Sequence, residues 1–62
     1  MTPYQKGITV MDYLQNWGLG MIAVGKAIDN KNLEKSYQLI QKNPTISKEE
    51  FLAEMEIEEE NY

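Results

Sequence analysis

A chain of 62 residues with neither cysteine nor histidine has to hold its fold together by packing alone. A chain this short buries only about 60% of the surface that its unfolded form exposes. Ordering it costs on the order of 1.5 kcal/mol per residue, which burial at about 25 cal/mol per Å² barely offsets. Small domains usually close that gap with disulfides, a metal or a partner. Residue type excludes disulfides and thiolate or imidazole metal sites here. Self-association or docking onto a larger protein is the remaining support.

The charges are segregated. Residues 1–48 hold all six lysines against Asp12, Asp29 and Glu34, a net +3. Residues 49–62 hold seven glutamates and no cation, a net −7, and together the two segments make the chain's −4. Fields of this kind choose partners and steer encounter; they do not build folds. The most apolar stretch, Trp17 to Ile28, is too short to span a bilayer and contains Lys26 and three glycines. With no leader-like apolar run near Met1, the expectation is a cytoplasmic protein that does not enter membranes.

One local pattern occurs twice. In Ile8-Thr9-Val10-Met11-Asp12-Tyr13 and Ile46-Ser47-Lys48-Glu49-Glu50-Phe51, a hydroxyl residue stands at an N-cap position with an acid three residues later. Apolar residues flank each box, so both read as a capping box with a hydrophobic staple. Helix starts are expected at Val10 and Lys48. Gly18 suits the left-handed position after a helix C-terminus, which ends the first helix at Trp17. Met21, Ile22, Val24 and Ile28 then recur at helical spacing. Leu33, Tyr37 and Ile40 mark a third helix that Asn43-Pro44 ends, because a residue before proline is pushed out of the α region. No window alternates apolar and polar residues for long enough to make a strand. The expected fold is all-α, a small bundle of three to four short helices at about 10–17, 20–29, 32–42 and 48–58. Residues 1–57 form one domain and 58–62 a frayed acidic tail. The first two helices fuse into one kinked helix if Gly18 and Gly20 are tolerated within it.

Chemistry-bearing motifs are scarce. Ser36 and Ser47 have no base nearby to make either a nucleophile. Paired glutamates need a pocket that pushes their pKa values apart, which a solvated terminus does not offer. Glu58-Glu59-Glu60 lacks the spaced oxygens and glycine of a calcium loop, and Gly18-Leu19-Gly20 lacks the third glycine and the preceding strand of a phosphate-binding turn. A non-enzyme with no cofactor and no metal is expected.

Two stretches bear on nucleic acid. The Gly18 turn between two short helices fits a helix-turn-helix pattern, yet its second helix carries one cation, Lys26, and no side chain suited to reading base edges. Lys31, Lys35 and Lys42 fall at spacings of four and seven, a stripe that either contacts phosphates or merely lays its stems over apolar surface. Residues 37–57, with a helix ending in Asn43-Pro44 and a second capped by Ser47, resemble the opening of winged-helix DNA-binding domains. That resemblance implies a recognition helix next. Here Glu58-Glu59-Glu60 stands in its place, and carboxylates repel the phosphates that dominate nucleic-acid affinity.

The apolar supply points elsewhere. Met11, Met21 and Met55, with Trp17, Leu19, Ile22 and Phe51, are more large side chains than one small bundle needs to hide, and methionine suits surfaces that re-pack around partners. The anchors expected among them are Trp17, Leu19, Met21, Phe51 and Met55. The sequence therefore predicts a protein-binding regulator, an inhibitor or adaptor of a size often encoded by phages and mobile elements. Those five residues would anchor a larger protein, and Glu54, Glu56, Glu58, Glu59 and Glu60 would meet its basic surface. A homodimer is compatible with the same supply. The alternative is a small dimeric DNA-binding regulator using Lys26, Lys31, Lys35 and Lys42.

Overall fold

The computed structural model describes residues 3–58, and these form four helices with no strand among them. They are α1 (Pro3–Asn16), α2 (Met21–Ile28), α3 (Leu33–Lys42) and α4 (Lys48–Met55). The core collects Val10 and Leu14 from α1, Ala23 and Ala27 from α2, Ile40 from α3, and Phe51, Leu52 and Met55 from α4. Leu19, Ile46 and Ile57 enter it from the connections. Helix α1 packs chiefly on α3 and then on α2, while α4 packs on α3. The two alanines let α2 lie close to its neighbours, and Phe51, fully buried, contributes about 1.5–3 kcal/mol by its burial.

Helix α1 starts seven residues earlier than the capping pattern predicts. Proline suits the first position of a helix, where its missing N–H is unpaired anyway. Thr9 is therefore a mid-helix residue, and its Oγ1 donates to the Gln5 carbonyl at 3.0 Å instead of capping anything. Ile8, 39% exposed, is no staple. Across the bundle, the Lys6 ammonium meets the Glu34 carboxylate at 2.7 Å and stands 5.3 Å from the centre of the Tyr37 ring.

The break after α1 is real, so α1 and α2 are separate helices. Gly18 has φ +75; its N–H donates to the Gln15 carbonyl at 3.0 Å, and that of Leu19 to Leu14 at 3.1 Å. This pair of bonds is a Schellman closure, with Leu19 and Leu14 both buried where it needs an apolar contact. At the other end of α2, the last carbonyls are taken up by side chains. Asn32 Nδ2 donates to Lys26 O, and the buried Ser36 hydroxyl donates to Ala27 O, both at 2.9 Å. The Lys31 N–H bonds Asp29 Oδ1, which sets the intervening turn.

Helix α4 begins where the sequence places it. Ser47 Oγ accepts from the Glu50 N–H at 3.1 Å, and Ile46 and Phe51 are both buried beside this cap. It ends at Met55, earlier than the expected 58. Glu56 turns left-handed at φ 58, with its N–H on Ala53 O and that of Ile57 on Leu52 O, and so Ile57 folds back into the core. Glu58 is exposed, and the rest of the predicted tail lies outside the described residues. Among the described residues, no helix is long and apolar enough to cross a membrane.

Candidate functional site

Residues three, four and seven apart on a helix share a face. In α1 that rule groups Tyr4, Ile8, Met11 and Gln15 beside the inward pair Val10 and Leu14. In α2 it groups Met21, Val24, Gly25 and Ile28 beside the inward pair Ala23 and Ala27. Between the two helices lies a groove of about 350 Å³, lined by Met11, Gln15, Leu19, Met21, Val24, Gly25 and Ile28. Leu19 is nearly buried and lies at its base. Gly25 is exposed, and a Cβ built there would meet nothing within 4 Å.

Of the exposed large hydrophobic residues, Met21 lines this groove and Tyr4, Ile8 and Ile22 do not. Met21 is 89% exposed, Tyr4 77%, Ile22 57% and Ile8 39%, and all four belong to α1 or α2. Isolated exposed apolar residues are ordinary, whereas an apolar groove with an exposed apolar side chain in its lining marks a contact surface. The residues that line the groove are uncharged, while exposed Asp12 on α1 and Lys26 on α2 lie four residues from Ile8 and Ile22.

Of the five apolar anchors predicted from sequence, Met21 and the nearly buried Leu19 line the groove and the other three do not. Phe51 and Met55 are buried and hold the bundle together. A chain this small has to use its largest side chains internally. Trp17 is half-buried, its ring 5.3 Å from Phe51 and 6.0 Å edge-on from Tyr13, and it forms the rim of the core. Met21 alone of the five projects fully into solvent. Sequence reasoning counted Ile22 in the apolar supply but missed Tyr4 and Ile8 as exposed residues of one helix face; the signal was their spacing with Met11 and Gln15, hidden by a helix start at Val10.

The charged candidates are exposed where they are described. Glu54, Glu56 and Glu58 lie on or just beyond α4, and Glu59 and Glu60 fall outside the described residues. Lys26 lies in the last turn of α2, Lys35 and Lys42 lie on α3, and Lys31 sits in the turn before α3, off the predicted helical stripe. A bond from Lys6, and a second from Gln38 at 3.2 Å, hold the Glu34 carboxyl below the usual glutamate value. Ser36 is committed to Ala27 O, with Met55 Sδ at 3.6 Å, and Ser47 is committed to its helix cap. Among the described residues, no group of three or more acids is placed to hold a metal ion. Compared with family models, curated proteins and solved structures, the chain matches none.

Proposed function

We propose that this chain is a non-enzymatic, cytoplasmic protein-binding regulator whose principal contact surface is the apolar face of α1 and α2. The observation that carries this reading is the apolar groove between α1 and α2, with Met21, almost wholly exposed, among its lining residues. Apolar anchors of this kind supply affinity, and charges supply approach rate. The exposed glutamates of α4 and beyond, Glu54, Glu56 and Glu58, then steer the chain to a larger protein with a basic surface. An inhibitor or adaptor works this way, by occupying or bridging surfaces.

The test is affinity capture by the tagged chain, with bound protein eluted on a salt gradient. Met21→Lys is expected to weaken capture about tenfold, the scale of a modest hot spot. Changing Glu54, Glu56 and Glu58 to glutamine is expected to slow association and flatten the salt dependence. Capture indifferent to both sets of substitutions would sink the proposal. A shift of duplex DNA that weakens as Lys26, Lys31, Lys35 and Lys42 are removed would replace it with DNA binding.

A further inference from the structure

We propose that Met21 is a peroxide-sensitive modification site, whose oxidation to the sulfoxide turns the edge of the α1–α2 groove from apolar to polar. The effect on a partner rests on the reading of that groove as a contact surface; the assignment of the sulfur does not. The chain holds four methionines and no cysteine, so no thiolate competes for a two-electron oxidant. Exposure then decides among the described thioethers. Met21 is 89% exposed, Met11 is half-buried and Met55 is 7% exposed. Met55 Sδ also lies 3.6 Å from the buried Ser36 hydroxyl, so an oxidant reaches it only when the bundle opens.

The oxidant is a hydroperoxide. The sulfur lone pair attacks one oxygen of hydrogen peroxide, and an S–O bond forms as the O–O bond breaks. The proton on the transferred oxygen passes to the departing hydroxide to give water. Sulfur gives up two electrons and the peroxide takes them up. The product is a polar, chiral side chain in place of a flexible apolar one, and reductases specific for each epimer restore the thioether.

Position gives the oxidation a consequence. Met21 opens α2 and lines the groove with Met11, Leu19, Val24 and Ile28, where Gln15 is the only polar side chain. A sulfoxide oxygen at this edge keeps its water in the free chain and loses it under an apolar partner. An acceptor buried without a donor opposes binding. Met55 packs in the core and Met21 does not, so oxidation at Met21 changes the surface and leaves the bundle standing.

The experiment treats the full chain with limiting hydrogen peroxide and follows each sulfur by mass spectrometry of tryptic peptides. Met1 falls in 1–6, Met11 and Met21 share 7–26 and are told apart by fragmentation, and Met55 falls in 49–62. Met21 is expected to gain its oxygen several-fold faster than Met11, and ahead of Met55 by a wider margin. The chain oxidised at Met21 should elute earlier on hydrophobic-interaction chromatography with its helical circular dichroism unchanged. It should also lose capture about tenfold, the same scale as Met21→Lys. Met21→Leu should keep both retention and capture through the same peroxide dose. Oxidation of Met11 or Met55 ahead of Met21, or an equal loss in Met21→Leu, would overturn the site. Capture that survives oxidation but not Met21→Lys would overturn the switch and leave the contact surface intact. Capture indifferent to both would overturn that surface as well.

Discussion

Glu56 is the residue that departs furthest from its own preference. It lies at φ 58 and ψ 42, a conformation that costs a residue with a Cβ about 1–2 kcal/mol. The two bonds of the Schellman closure require it, because only that turn brings the Ile57 N–H onto Leu52 and the Ile57 side chain into the core. Gly18 serves α1 in the same way at no steric cost. Glu56→Gly should therefore stabilise the chain, by about 0.5–1 kcal/mol after the added freedom of the unfolded glycine is subtracted. Thermal unfolding followed by Trp17 fluorescence should show a rise in Tm of a few degrees. An unchanged or lower Tm would mean that Glu56 gains something from its own side chain. The glycine was readable as a helix end, whereas a glutamate carries no such signal, and so the predicted fourth helix ran on to 58.

The two capping boxes show how an element is decided outside its own motif. Thr9 and Ser47 have nearly the same neighbours, yet one caps α4 and the other lies inside α1. The difference is upstream. Pro44 prevents a helix from running into Ser47, while between Pro3 and Thr9 there is only Gly7, a cost of about 1 kcal/mol. The Lys6 contacts with Glu34 and Tyr37 hold those roughly two extra turns against α3. Ser47→Ala should cost about 1 kcal/mol, the usual loss of an N-cap. Thr9→Ala should leave stability within about 0.5 kcal/mol, because it removes a back-bonded hydroxyl and adds the better helix former. Far-UV circular dichroism of both variants under denaturant decides the matter. Equal losses would place the start of α1 at Val10 after all.

For the molecule as a whole, helix type and number were legible, because caps, breakers and periodicity are local. The site was not. A sequence shows how many large apolar side chains exist, but only packing decides that Phe51 and Met55 turn inward while Met21 and Ile22 turn out. The groove belongs to the angle between two helices and to no single stretch. The same holds for the tie between Lys6 and Glu34, twenty-eight residues apart in sequence. Its bonds hold the Glu34 carboxyl below the usual glutamate range, Lys6 acting first and Gln38 second. A carboxyl with a depressed folded-state pKa stabilises the fold above its unfolded value, and that contribution is lost as pH falls through the folded value. Glu34 is exposed, so the effect is small. The expected result is that Glu34→Gln unfolds slightly earlier than wild type at neutral pH, and that the two melting curves converge as the pH drops well below 4.5. A gap that persists or widens toward acid would show that Glu34 acts through packing or through Gln38, with its charge irrelevant to joining α1 to α3.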